Sequence, residues 1–336
     1  MNKPRVGFLG TGWIGRHRMA AMLDTGVIEA AAICDPAPEC VAEARALAPD
    51  AQVAGSLDEM LAMELDGIVI ATPSAAHAEQ SIHALQAGAA VFCQKPLGRN
   101  AAEARAVIGA AKTVNRLLGV DLSYRHTAAV GAIAPLLRDG AIGRVQAIDL
   151  VFHNAYGPDK PWFYDRALSG GGCVIDLGVH LVDLALWLLD FPVVERVSAS
   201  LSASGKPLRE TPHAVEDYAV ATLDLAGGTV VRLACSWRLQ AGQEAVIEAS
   251  FYGTNGGAKL RNIGGSFYDF EALRLNGTQQ ELLVSPPDEW GGRAAAAWAR
   301  ALAAGSRFEP TAEAFAASAD VLDRIYAAAG APVTSS

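Results

Sequence analysis

The sequence predicts an α/β N-terminal domain built on a doubly wound parallel sheet, followed by an α+β domain with a large, open and mostly antiparallel sheet. Up to about residue 121, short apolar runs alternate with segments of helical period, which is typical of a parallel sheet with helices on both faces. Beyond that point, β-rich stretches separated by glycine turns indicate antiparallel strands. Because 336 residues exceed one ordinary core, we place two domains, at 1–121 and 122–336.

The first domain is predicted from the order of its apolar runs. Short runs bounded by turn residues predict strands, and longer segments with apolar residues at helical spacing predict helices. In chain order these are strand Arg5–Leu9, helix Arg16–Leu23, strand Val27–Cys34, helix Pro38–Leu47, strand Gly67–Ala71, helix Ala75–Ala87, strand Val91–Cys93, helix Ala101–Asn115 and strand Leu117–Val120.

The second domain is predicted to be mainly β. Two helices, Thr127–Arg138 and Cys173–Leu189, interrupt a β-rich region that extends from Val145 to Leu275. Two alanine-rich helices, Ala294–Ala304 and Thr311–Ala329, close the chain. We therefore expect one broad sheet with a few helices packed on it.

Composition excludes several classes of function. The chain carries 27 Lys and Arg against 36 Asp and Glu, and a net charge of −9 repels a nucleic acid backbone. The five cysteines are scattered without CxxC spacing, so we expect reduced thiols and no metal site. No apolar run approaches the roughly 18 residues of a membrane span, and no leader-like segment begins the chain. We therefore expect a cytoplasmic protein with neither a nucleic acid nor a membrane partner.

A glycine motif lies between the first strand and the first helix. Gly10 permits a tight turn, Gly12 lets a pyrophosphate approach the backbone, and Gly15 lets the helix pack closely on the strand. Asp35 ends the second strand, where a carboxylate can accept hydrogen bonds from the adenosine ribose, and Pro36 after it offers no positive charge for a 2′-phosphate. The residues predict NAD, with NADP less favoured; a plain turn followed by a surface aspartate is the alternative interpretation.

Further motifs point to a known family. They are Thr72-Pro73 with His77, Gln94-Lys95-Pro96, Tyr124-Arg125, Ile142-Gly143 and the Gly170-to-His180 segment GGGCVIDLGVH. Together with the glycine motif, they make nearly the whole chain resemble the Gfo/Idh/MocA family, of the glucose-fructose oxidoreductase and inositol dehydrogenase type. The resemblance implies a Rossmann domain that binds NAD through Gly10, Gly12, Trp13, Ile14, Gly15, Asp35, Thr72, Pro73, His77, Gln94 and Lys95.

The resemblance also implies three catalytic residues. In the family, the matching lysine, aspartate and histidine converge on the substrate hydroxyl beside the nicotinamide, which assigns Lys95, Asp176 and His180. The residue types suit the chemistry, since oxidising an alcohol requires removing a proton from oxygen, and histidine titrates near neutral pH. Without the resemblance, a solvated lysine and an ordinary polar pair on a helix would be the simpler interpretation.

One position departs from the family pattern. The family's usual glutamate before the lysine is Gln94 here, so a negative charge beside Lys95 is lost and the protonated lysine should be less favoured. This departure puts the strength of catalysis in question without excluding activity.

Substrate contacts are predicted at Arg125, His153 and Tyr164. The last two belong to a polar, aromatic stretch suited to the rim of a sugar pocket, although a packed loop or an oligomer contact explains it as well. Trp237 is a further candidate that a core position explains better.

The predicted function is hydride transfer between NAD and a hydroxyl or carbonyl carbon of a sugar, cyclitol or related polyol. The resemblance leaves two alternatives, a glycosidase that retains its NAD and a non-catalytic dinucleotide-sensing regulator. Because relatives often pair their large sheets, we also expect a homodimer or homotetramer.

Overall fold

The structure, a computed structural model, describes residues 3–211 and 213–331. The chain forms two compact units. The first runs to Ser123 and also includes Gly291–Ala316; the second comprises Tyr124–Trp290 and the residues from Ala317 onward. The first division lies close to the predicted boundary at residue 121, whereas the return of Gly291–Ala316 to the first unit differs from the predicted range 122–336.

The first unit contains a six-stranded parallel sheet with the order β3-β2-β1-β4-β5-β6. Its elements are β1 (Arg5–Leu9), α1 (Trp13–Leu23), β2 (Glu29–Cys34), α2 (Pro38–Leu47), β3 (Gln52–Val53), α3 (Leu57–Leu61), β4 (Gly67–Ile70), α4 (Ser74–Gln86), β5 (Ala90–Cys93), α5 (Ala101–Val114) and β6 (Leu118–Val120). The chain turns from one half of the sheet to the other between β1 and β4, which is where doubly wound sheets bind ligands. The predicted fold class is confirmed, and the short β3 and α3 are additions to it.

The central strands of this unit are buried along nearly their whole length. All four residues of β4 and all four of β5 are buried, as are four of the five in β1. Continuous burial is what helices on both faces of a parallel sheet produce. It explains why these strands appear in the sequence as unbroken apolar runs.

The second unit contains a nine-stranded sheet with the order β15-β14-β13-β12-β7-β11-β10-β8-β9, in which β7 and β11 pair in parallel and the other described neighbours pair antiparallel. Its elements are α6 (Ala128–Arg138), β7 (Val145–Asn154), α7 (Arg166–Ser169), α8 (Val179–Leu188), β8 (Val194–Ala203), β9 (Lys206–Pro207), β10 (Tyr218–Leu225), β11 (Val230–Ser236), β12 (Ala245–Gly253), β13 (Gly257–Asn262), β14 (Phe270–Asn276) and β15 (Gln279–Val284). This confirms the predicted large, mostly antiparallel sheet.

One face of this sheet carries the core. Along β10, Ala219 and Leu223 are buried, whereas Tyr218 and Val220 are more than a third exposed, which is the alternation of a sheet covered on one side. The buried side chains of α6 and α8 join the same core.

A helical stretch in this unit has the length and composition of a membrane span, contrary to the expectation from the sequence. It comprises Arg166–Leu188, which includes α7, the residues that connect α7 to α8, and α8 itself, and 83% of its most apolar window is buried inside the protein. Such burial is the setting of a core helix, so length and composition do not by themselves indicate a membrane.

The last two helices, α9 (Arg293–Ala303) and α10 (Phe315–Ala328), belong largely to different units. The Trp298 ring of α9 occupies space left by two glycines, since a Cβ on Gly67 or Gly119 would lie 2.7 Å from that ring. Its centroid also lies 5.8 Å from that of Phe92. This packing explains why Gly291–Ala316 returns to the first unit, while Ile325 of α10 is buried in the core of the second.

Candidate functional site

The glycine motif has the geometry that its sequence predicts. Gly10 has a φ of +83°, and a Cβ there would lie 2.6 Å from the backbone of Ala71. A Cβ on Gly15 would lie 2.1 Å from the Gly10 carbonyl oxygen, whereas a Cβ on Gly12 would meet nothing within 4 Å. Gly10 and Gly15 are therefore required by the fold itself, and Gly12 keeps open space at the start of α1.

Asp35 is tied to the glycine loop. Its carboxylate accepts hydrogen bonds from the Thr11 amide at 2.6 Å and the Ala37 amide at 2.9 Å. The hydroxyl oxygen of Thr11 is buried and has no hydrogen-bond partner among the described residues. An open helix N-terminus beside a fixed carboxylate and an unsatisfied hydroxyl fits a dinucleotide, whose pyrophosphate and ribose supply the matching groups.

The other predicted cofactor residues of this unit follow the carboxyl ends of neighbouring strands. Because the strands are parallel, the residues that follow them lie along one edge of the sheet. Trp13, at the start of α1, is 60% exposed, and the neighbouring Ile14 is half-buried. Thr72 and Pro73 follow β4, and the Thr72 hydroxyl donates to Gln80 at 2.6 Å.

His77 lies inside the unit, between two loops. Its ring nitrogens lie 2.7 Å from the carbonyl oxygens of Pro96 and Thr72, and its side chain is 1% exposed. Burial lowers the pKa of His77, and the two carbonyl contacts oppose that shift. The structure thus uses His77 to join the loops after β4 and β5, a role that the sequence motif did not reveal.

Gln94 and Lys95 follow β5. Lys95 is partly exposed, whereas the Gln94 side chain is buried and donates to the Asp121 carboxylate at 2.5 Å. The same carboxylate oxygen accepts from Arg18 Nε at 2.5 Å. Neither Asp121 nor Arg18 carries a motif, and sequence reasoning missed both.

The helix that carries Asp176 and His180 begins with a π-helical turn, Val174–Gly178, which continues into α8. The sequence predicted a regular α-helix over Cys173–Leu189, so the first turn is wider than expected. Such turns are rare and recur at functional sites. Here the turn contains Asp176, and His180 is the second residue of the α-helix that follows it.

Each of these two residues has aromatic neighbours within the second unit. Trp237 donates its indole N–H to the Asp176 carboxylate at 3.1 Å, and it is 3% exposed. The His180 ring centroid lies 4.8 Å from that of Tyr124 and 6.4 Å from that of Phe152. Trp237 is therefore buried, as expected of a core aromatic, and it also orients Asp176.

Glu216 holds the start of this helix. Its Oε1 accepts from the amides of Gly172 and Val174 at 2.9 and 3.0 Å and from the Tyr326 hydroxyl at 2.8 Å. Its backbone oxygen accepts from the Cys173 amide at 2.9 Å. Burial raises the pKa of Glu216 despite these donors. The glutamate thus caps the start of a helix 42 residues before it, at Val174, and no local pattern predicts that cap.

The predicted substrate residues separate in the structure. Arg125 forms a two-point ion pair with Asp183, with its Nε 2.7 Å from the carboxylate, which favours a structural role. His153 hydrogen-bonds to Ser236 at 2.8 Å and stacks on Tyr218. Since alternate residues of a strand point to opposite faces, His153 lies on the other side of the sheet from Phe152.

Consequently His153 is also on the opposite face from His180, which neighbours Phe152. This differs from the expectation that His153 and His180 line one substrate pocket. The sequence places His153 near the end of β7, but it does not show which face of the sheet the side chain occupies. Tyr164 lies nearer the candidate residues: its ring centroid is 5.6 Å from that of Trp237, the donor to Asp176. The Tyr164 hydroxyl donates to the Pro158 carbonyl at 2.8 Å.

Two models of one family match the chain. Residues 4–122 match the GFO/IDH/MocA oxidoreductase family domain with an NAD-binding Rossmann fold, and residues 130–259 match a GFO/IDH/MocA C-terminal domain. Among curated proteins, the chain is 27% identical to D-glucoside 3-dehydrogenase of Escherichia coli K12 over 271 residues, which are 76% of each chain. It is 33% identical to inositol 2-dehydrogenase of Acidiphilium cryptum over 232 residues, or 67% of this chain and 64% of that one.

A solved structure agrees in fold. Levoglucosan dehydrogenase in complex with NADH superposes with a TM-score of 0.83 at 22% identity, covering 98% of this chain and 97% of that one. At this identity the likeness shows the fold alone. Taken with the family models and the glycine motif, these observations establish that the chain belongs to the GFO/IDH/MocA family of oxidoreductases.

Proposed function

We propose that this protein is a dehydrogenase or reductase that transfers a hydride between NAD and a hydroxyl or carbonyl carbon of a sugar, cyclitol or related polyol. The observation that carries the proposal is the open N-terminus of α1 beside Asp35, in a family of oxidoreductases. The relatives support the substrate class, because their names describe enzymes of glucosides, inositol and levoglucosan.

The proposed preference for NAD over NADP rests on charge. Asp35 is held by two backbone amides, so its carboxylate cannot easily turn away from a ligand. A 2′-phosphate on the adenosine ribose would bring a second negative charge to this carboxylate, whereas a ribose hydroxyl can donate to it. We expect NADH to bind at least 10-fold more tightly than NADPH, and Asp35→Asn to reduce that ratio; calorimetric titration of both cofactors measures this.

In the proposed reaction the nicotinamide, when bound, supplies the hydride acceptor or donor. Lys95 donates a hydrogen bond to the substrate oxygen and so stabilises negative charge that develops there. His180 takes the hydroxyl proton during oxidation and returns it during reduction, because imidazole exchanges protons near neutral pH. Asp176, oriented by Trp237, binds a substrate hydroxyl or the imidazole of His180. Tyr164 packs against the same tryptophan ring.

The test is NADH formation from NAD with a panel of sugars and inositols. We expect wild type to form NADH with at least one member, and Lys95→Ala to lower kcat by roughly 100-fold or more, the usual cost of losing a group that stabilises the transition state. Lys112→Ala is the matched control, since that lysine is exposed and paired with Glu313. Glycoside cleavage without net NADH would instead indicate an NAD-retaining glycosidase, and tight NAD binding without any turnover would indicate a regulator.

We also propose a homodimer or homotetramer. The sheet face opposite the core of the second unit exposes Tyr218, Val220, Val230 and Tyr252, each at 37–38%. Apolar side chains on an open sheet face favour pairing with a second copy. Light scattering after size-exclusion chromatography tests this, and a monomeric mass across the micromolar range would contradict it.

A further inference from the structure

We propose that Asp121 is a positioning residue for Lys95, acting through the side chain of Gln94; the inference rests on the function proposed for Lys95. Asp121 is 1% exposed and follows β6, the strand that pairs with β5. Its backbone amide donates to the Cys93 carbonyl at 2.9 Å, so it lies directly beside the turn that leads to Lys95.

Three donors fix the Asp121 carboxylate. Gln94 Nε2 and Arg18 Nε each lie 2.5 Å from Oδ2, and the Ser123 hydroxyl donates to Oδ1. A second nitrogen of Arg18 also donates to Ser123 at 3.1 Å. All four side chains are buried, so each loses water and depends on the others for its hydrogen bonds.

This arrangement requires a donor at position 94. A glutamate there would place a second carboxylate against Asp121. Arg18, the basic side chain that contacts Asp121, would then have to offset two negative charges instead of one. An amide instead satisfies the carboxylate and adds no charge. The structure thereby supplies a physical reason for Gln94 in place of the glutamate usual in the family.

The same contact restrains Lys95. The residue before Lys95 is held by Asp121, and the carbonyl of the residue after it, Pro96, lies 2.7 Å from a His77 ring nitrogen. A side chain whose two neighbours are both held in the interior has its Cα and its starting direction fixed. Small displacements of a catalytic group can cost about 100-fold in rate, so this restraint matters for turnover.

The experiment compares Asp121→Asn, Gln94→Glu and the exchanged pair carrying both changes. We expect each single change to lower kcat by about 10- to 100-fold, with KM for the polyol changed less than threefold. The exchanged pair restores one carboxylate and one amide, and we expect it to regain at least 10-fold over the weaker single variant. Glu313→Gln, which removes the negative charge from an exposed ion pair with Lys112, is the control and should leave kcat unchanged.

A second measurement does not depend on activity. Amide hydrogen exchange in a peptide that spans Gln94–Leu97 should be at least threefold faster in Asp121→Asn and return towards wild type in the exchanged pair, while α5 remains protected. A merely structural role would raise exchange throughout the unit. If Asp121→Asn does not fold, Ser123→Ala removes one donor from the same carboxylate and should show a smaller change at the same peptide.

The outcomes separate the two proposals. Absence of turnover in wild type overturns the proposed function, and the exchange data then still decide whether Asp121 restrains the turn. Losses in the exchanged pair that equal the product of the single losses, or unchanged exchange at Gln94–Leu97, overturn the inference about Asp121 even in an active enzyme.

Discussion

At the residue scale, the three motif glycines differ in what requires them. Gly15 has no room for a side chain, since its Cβ would lie 2.1 Å from the Gly10 carbonyl oxygen. Gly12 has room, and its φ of −58° is accessible to any residue. Gly15, like Gly10, is therefore required by the fold, whereas the open space at Gly12 is where we propose that the pyrophosphate binds.

This difference predicts opposite phenotypes for two identical substitutions. Gly15→Ala should lower the free energy of unfolding by about 1–3 kcal/mol, because the backbone must shift to admit a methyl group. Gly12→Ala should unfold at the wild-type urea concentration yet bind NADH at least 10-fold more weakly, because the methyl group occupies space proposed for the pyrophosphate. Equal NADH affinities for Gly12→Ala and wild type would contradict this placement of the cofactor.

At the element scale, the π-helical turn is stabilised from outside its own sequence. Glu216 caps Gly172, Cys173 and Val174, and Gly172 cannot carry a side chain because its Cβ would lie 1.9 Å from the Glu216 carbonyl oxygen. The turn that carries Asp176 therefore depends on a buried carboxyl group whose pKa burial raises from its ordinary value of 4.5.

A raised folded-state pKa fixes the sign of a pH effect. The neutral carboxyl group is favoured in the folded state, so its stabilisation is complete below pH 4.5 and is lost as the pH rises through the folded-state pKa. Relative to Glu216→Gln, wild type should lose about 1.4 kcal/mol of unfolding free energy for each unit by which the pKa is raised. Urea titrations across that pH range measure the difference in unfolding free energy between the two proteins. A difference that stays constant, or that grows in favour of wild type as the pH rises, would refute the prediction. Glu313→Gln is the exposed control.

At the scale of the whole molecule, the two compact units are not two consecutive stretches of chain. Helix α9 follows the sheet of the second unit in sequence but completes the core of the first, where Trp298 packs against Phe92 and the space above Gly67 and Gly119. A protein cut between the predicted domains would therefore leave the first unit without one of its core helices.

Trp298→Ala tests this contribution. Trp298 is 5% exposed, and truncating a buried tryptophan typically costs about 3–5 kcal/mol, so the first unit should unfold at markedly lower urea concentration. Trp13→Ala removes the same side chain from a position that is 60% exposed and should leave the unfolding free energy within about 0.5 kcal/mol of wild type. Similar losses in the two variants would show that α9 does not stabilise the first unit.

The sequence by itself determined the features that depend on neighbours along the chain. Periodicity and backbone sterics within a few residues account for the alternation of strands and helices, the turn at Gly10 and the placement of Asp35 after β2. The family likewise followed from motifs that are only a few residues long. Helix ends were less certain: α1 begins at Trp13 rather than Arg16, because the helix can start immediately after the glycine turn.

Only the tertiary structure decided which distant residues support those motifs. Arg18 and Asp121 meet across 103 positions of sequence, and Glu216 reaches back 42 positions to Val174. It also decided the face that His153 occupies. Such contacts are set by how sheets and helices pack, and periodicity carries no information about them, because each partner on its own has the sequence context of an ordinary polar residue.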